Sequence, residues 1–266
     1  MKPPEVIVVG IDGASSAVRA AQWAVEEAVS RGIPLRLVHV IQSTATDIHQ
    51  EMDDAKAALR QAYSAVTGTG RPVKVETAIL RGPVAGMLSA QSADAAMVCV
   101  GSVGADPSAR KYIGATGTAI ARRAHCQVAI VRTHDDEDTP APGEVAVVID
   151  DPTEIDSVLR VALDEARLRH TALLVLNLTS WRIHEIAPEQ ADCRVAEWLQ
   201  RYPDVPSRVV MVSDDVAAFL AQHSPPVQLA VAANSDDGTA DELVRPCGRL
   251  LLRDTDCSVL LVQPRG

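Results

Sequence analysis

The chain has 266 residues, 47% of them hydrophobic and 23% charged, with a formal net charge of −10. That length suits two domains rather than one, and the composition excludes disordered and collagen-like chains. The acidic balance and an aromatic content of only 3% argue against a nucleic-acid binder, which needs a basic face or stacking platforms.

The predicted elements alternate from the start. Residues 5–11 read as a strand, followed by a helix to about residue 31 with Ser15 or Ser16 as its cap and Gly32 as its stop. A strand over 35–41 and a helix over about 50–66 come next. Asp47 is placed to cap that helix, and Gly68 and Gly70 break it. A strand over 73–79, a helix from Pro83 to about Ser92 and a strand over 96–100 follow. A Gly-containing loop over 101–113 leads into a helix over about 115–124 and a last strand over 128–131. This βαβαβαβαβ order predicts a parallel sheet with right-handed crossovers, and a Val/Ile/Leu-rich core suits strands covered on both faces.

The pattern then repeats. A shift of 138 positions brings Ala24 onto Ala162, Glu27 onto Glu165, Arg31 onto Arg169 and Leu35 onto Leu173. Strands are expected near 145–149, 173–178, 208–212, 228–232 and 258–262, with a shorter second helix over about 190–201. A period this long is a duplicated domain, not a solenoid. The expected division is a first domain over 1–133, a linker over 134–143 carrying four consecutive acids and two prolines, and a second domain over 144–266.

Five cysteines, an odd number with no CxxC pair, read as reduced thiols. Without a signal-like segment or an apolar run of membrane-spanning length, the expected location is the cytoplasm, away from any membrane. His39 reads as a core or supporting histidine. The alternating Asp47, His49, Glu51 and Asp53 lack the i, i+4 spacing of helical metal ligands, so no metal site is expected.

One constellation carries chemistry. After the fourth strand come Gly101-Ser102-Val103-Gly104, nine residues, and Gly114-Ala115-Thr116. Glycines at a strand end entering a helix let backbone amides approach phosphate oxygens. In open α/β sheets that place is where ligands bind. This Gly-x2-Gly-x9-Gly spacing, Asp12 closing Val9-Gly10-Ile11-Asp12-Gly13, and Leu37-Val38-His39-Val40 together resemble the universal stress protein family, over the whole chain as two domains in tandem.

The resemblance implies two adenine-nucleotide α-hydrolase-like domains with strand order 3-2-1-4-5, no efficient catalysis, and a role in stress or dormancy. It implies ATP as ligand, with magnesium as its companion ion. Gly10 and Asp12 would line the ribose, and Val40 would read adenine through its main chain. Gly101, Ser102, Val103, Gly104, Gly114, Ala115 and Thr116 would wrap the phosphates, and the sequence itself adds Arg110 and Lys111 as cations able to pair their oxygens. Protein partners and a homodimer are further expectations from the family. Ala115 stands where the family has Ser or Thr, and Asp106 and Pro107 stand in a stretch usually richer in Gly. These departures predict weakened rather than abolished binding and keep open an alternative, a scaffold that has lost its ligand. The second half has Val148, Ala233, Asp236 and Pro246 where glycines are needed, so it is expected to bind no nucleotide.

Overall fold

The computed structural model describes residues 5–42, 47–102, 115–132, 143–178, 188–212, 216–223, 225–234 and 257–263. The chain divides into two compact units, Met1–Thr133 and His134–Gly266.

The first unit contains β1 (Val6–Gly10), α1 (Ser15–Arg31), β2 (Leu35–Ile41), α2 (Ile48–Gly68), β3 (Val75–Arg81), α3 (Val84–Gln91), β4 (Ala95–Gly101), α4 (Ala115–Ala121) and β5 (Gln127–Val131). β1 pairs with β2 and β4, β2 with β3, and β4 with β5, all parallel. The sheet order is therefore 3-2-1-4-5. Val6, Ile7, Val8 and Val9 are at most 3% exposed, as a parallel strand covered on both faces requires.

Helix α1 buries Ala17, Ala20, Ala21, Ala24, Val25 and Ala28. This small-residue stripe at i, i+3, i+4 spacing brings the helix close to the sheet. Gly32 ends it in the left-handed conformation, φ 63°, its N–H reaching back to Ala28 and Val29 carbonyls. Packing contacts join α1 to α2 and α3 to α4.

Three local expectations are adjusted. The residue before α1 is Ala14, and neither serine caps the helix. Asp12 Oδ1 instead accepts from the Ala14 N–H at 2.9 Å, fixing the chain as it enters the helix. β3 starts and ends two residues later than expected, because Leu80 and Arg81 continue the rungs against Val40 and Ile41. α4 ends at Ala121, where Arg123 and Ala124 both turn back onto the Ile120 carbonyl. Asp47 caps α2 as expected, accepting from His49 and Gln50 N–H.

The second unit contains β6 (Glu144–Ile149), α5 (Ile155–Leu168), β7 (Leu173–Leu178), α6 (Pro188–Arg201), β8 (Ser207–Val212), α7 (Val216–Gln222), β9 (Val227–Ala233) and β10 (Ser258–Val262). β6 pairs with β7 and β9, β7 with β8, and β9 with β10, again all parallel. Its order repeats that of the first unit.

Each unit carries the same buried ion pair near the end of its first helix. Glu27 is 1% exposed and pairs with Arg31 at 3.2 Å. Glu165 is 2% exposed and pairs with Arg169. Arg31 also donates to Gln127 Oε1 at the start of β5, tying helix to sheet. The residue matches found by shifting the sequence thus include a structural bolt present twice.

Cys99, Cys126 and Cys257 are buried thiols, while Cys193 on α6 is exposed. Burial pushes the Cys126 thiol up to about 12. The thiolate is the reactive form, so Cys126 is expected to resist iodoacetamide at pH 8.5 while Cys193 reacts. Peptide mapping of the alkylated native protein checks this, and early Cys126 labelling contradicts it.

Among the described residues, no helix is long and apolar enough to cross a membrane.

Candidate nucleotide site

The carboxyl ends of β1, β2 and β4 in the first unit bring together most of the described residues singled out in the sequence. Gly10 ends β1 and Gly101 ends β4. Because Val9 is in register with Cys99, Gly10 and Gly101 lie on opposite faces of the pleat. A Cβ on Gly10 would meet Leu88 Cδ1 of α3 at 3.0 Å and Val100 Cγ1 at 3.3 Å. A Cβ on Gly101 would lie 2.8 Å from the Ser16 carbonyl carbon and 3.0 Å from Ala17 N, on α1. The two glycines therefore let a helix from each side close on the strand ends. The α1 contact is with main chain, which has no rotamer by which to yield.

Asp12 is exposed, and its Oδ1 holds the Ala14 N–H. The carboxylate so held stands exposed just past the end of β1.

Val40 is half-buried on β2, in register with Leu80. On this strand the Ile41 carbonyl accepts from Gly82 on the β3 side, and the Val38 carbonyl accepts from Ile11 on the β1 side. Main-chain groups alternate sides along a strand, so the Val40 N–H and C=O point toward β1. The last rung to β1 is Gly10–Val38, and among the described residues no main-chain partner meets the Val40 groups. A donor and an acceptor side by side at a strand end need filling by water or ligand.

Ser102 is 6% exposed, and its N–H donates to the Val131 carbonyl at 2.9 Å. Its amide is thus committed to the sheet. α4 begins at Ala115, and Thr116 is half-buried in its first turn. Val103, Gly104, Arg110, Lys111 and Gly114, together with Asp106 and Pro107, lie outside the described residues. His39 is half-buried, and its Nδ1 is enclosed. Among the described residues there is no cluster of three His, Cys, Asp or Glu side chains able to hold a metal ion.

Sequence reasoning missed Ser16 and Leu88 as walls of this place. Ser16 was read only as a candidate cap, and nothing in its neighbours announces that a glycine 85 positions later will rest on its carbonyl.

The second unit has the same backbone without the openings. Val147 is in register with Val175 and Val231, as Val9 is with Leu37 and Cys99. Val148 therefore stands at the Gly10 position, and it is fully buried. Ala233 faces Val262 as Gly101 faces Val131. Asn234 donates to the Val262 carbonyl as Ser102 does to Val131. The helix beside Ala233 starts differently. A 3-10 turn over Pro152–Glu154, capped by Asp151, precedes α5. Asp236 and Pro246 lie outside the described residues.

The universal stress protein family matches residues 4–132. A universal stress protein of Mycobacterium tuberculosis (strain ATCC 25618 / H37Rv) is 40% identical over 262 residues, covering 97% of this chain and 96% of that protein. Another from the same strain is 37% identical over 275 residues, covering 98% and 97%. Among solved structures, a universal stress protein from Archaeoglobus fulgidus DSM 4304 superposes with a TM-score of 0.72 at 17% identity, covering 97% of this chain and 96% of that one, a likeness of fold.

Proposed function

The chain belongs to the universal stress protein family, and from that premise we propose that its first domain, residues 1–133, binds an adenine nucleotide, ATP with magnesium, in the cytoplasm as part of a stress or dormancy response. Residues 134–143 are the linker, and 144–266 form a second domain that binds no nucleotide and serves packing or protein partners.

The observation that carries this reading is the unfilled Val40 rung. A donor and an acceptor side by side, at the carboxyl end of a parallel sheet, match the edge of adenine, which offers N1 as acceptor and the exocyclic amine as donor. Asp12 would accept from the ribose hydroxyls. The phosphates would lie toward Gly101 and Ser102, with Gly104, Arg110, Gly114, Ala115 and Thr116 as the rest of the cradle and Val103 within it. Magnesium would come with the nucleotide and offset its phosphate charge, and no side chain of the chain is assigned to hold it. The chain's residues hold and orient; none is assigned a catalytic part.

The test is denaturing extraction of freshly purified protein, mass spectrometry of what is released, and calorimetry of the emptied protein with ATP. ATP or AMP in the extract, with saturable heat, is the expected result. Asp12→Ala should weaken binding about tenfold or more, since a hydrogen bond to a charged group contributes roughly 1.5–3 kcal/mol. An empty protein giving no heat at millimolar ATP would overturn the reading in favour of the ligand-free scaffold.

A further inference from the structure

Away from the cleft, the second unit holds a compact charged triad. Glu144 opens β6, Arg208 is the second residue of β8, and His223 follows the last turn of α7. Register runs from Ala146 through Leu174 to Arg208. Glu144 lies two residues before Ala146, so it shares a face with Arg208. Arg208 Nη2 donates to Glu144 Oε2 at 2.5 Å and lies 2.6 Å from His223 Nε2. The same His223 Nε2 is 3.2 Å from Glu144 Oε2. The His223 ring rests on Phe219, centroids 5.0 Å apart. The segments Leu173–Leu178, Val216–Gln222 and Val227–Ala233 contain no titratable residue. Among the described residues, Glu144 and Arg208 are therefore the charged groups facing His223.

We propose that this triad is a proton-operated latch on the edge strand β8. With the imidazole neutral and its hydrogen on Nδ1, Nε2 accepts from Arg208 while Glu144 accepts from the same guanidinium. One arginine then ties β8 across β7 to the start of β6. A solvent proton that binds Nε2 turns this acceptor into a cationic donor. It now faces a second cation across 2.6 Å, and the carboxylate can serve it instead.

Of the two cations it is the arginine that leaves. Its side chain is 43% exposed, whereas that of His223 is 9% exposed and enclosed by Phe219. The β8 edge, where Val209 and Met211 are already 48% and 43% exposed, loses its tether. Uptake of that proton therefore opens the latch.

Hydrogen exchange of the full chain by mass spectrometry, corrected for intrinsic rates, tests this between pH 7.5 and 5.5. Peptides spanning β8 should exchange about fivefold faster at the lower pH, the effect of losing one charge-assisted contact. His223→Gln accepts from Arg208 but takes up no proton, and should hold the slow rate at both pH values. Arg208→Met should exchange fast at both, and because that side chain is half in water it also serves where His223→Gln does not fold. A flat wild-type profile, or a pH step that survives in either variant, overturns the proposal.

Discussion

Arg169→Ala is expected to destabilise the second unit by about 3 to 5 kcal/mol, the usual cost of removing one member of a buried ion pair. Glu165 and Arg169 are 3% and 13% exposed at their side chains. The carboxylate gave up its hydration on folding and would lose the guanidinium that compensates it. An exposed pair supplies the contrast. Arg71 and Glu26 are 49% and 47% exposed, and Arg71→Ala should cost under about 1 kcal/mol. Urea unfolding followed by fluorescence reads each unit alone: the second through Trp181 and Trp198 in a Trp23→Phe background for Arg169→Ala, and the first through Trp23 in a Trp181→Phe/Trp198→Phe background for Arg71→Ala. An Arg169→Ala midpoint no further displaced than that of Arg71→Ala would remove the pair from the account of stability.

Gly101→Val is expected to weaken ATP binding by about two orders of magnitude or more, roughly 2.7 kcal/mol. It should also destabilise the first unit by about 1 to 3 kcal/mol through overpacking. The Cβ would lie 2.8 Å from the Ser16 carbonyl carbon. Either the first turn of α1 or the end of β4 must move, and both border the proposed phosphate mouth. The corresponding place in the second unit holds Ala233, and the helix there is preceded by a 3-10 turn at Pro152–Glu154. Calorimetry on the folded variant separates the two effects, and an unchanged ATP affinity would move the phosphates elsewhere.

The architecture was readable because parallel strands covered on both faces are written as unbroken apolar runs, such as Val6–Gly10, and because Glu27, Arg31 and their counterparts keep fixed intervals in both halves. What escaped depended on where neighbouring strands stop. β3 ended late because its rungs continue against Val40 and Ile41, which no local composition announces. The entry to α1 was misassigned because Ala14, held at its N–H by Asp12, precedes the helix and no side chain caps it. Within the candidate site, Gly10, Gly101 and Asp12 could be singled out by residue type, and they stand at or just past the ends of β1 and β4. The approach of Ser16 to Gly101 was not legible, since it joins residues far apart in the chain. Nor was the open Val40 rung, which exists only because β1 finishes at Gly10 while β2 continues to Ile41.

That uneven finish bears on how the protein tolerates mutational drift. If the proposed base is read by these peptide groups, the reading is indifferent to the residue that carries them, and an alanine substitution at position 40 should leave affinity unchanged. Selectivity stored in this way changes by lengthening or shortening a strand, not by exchanging a side chain.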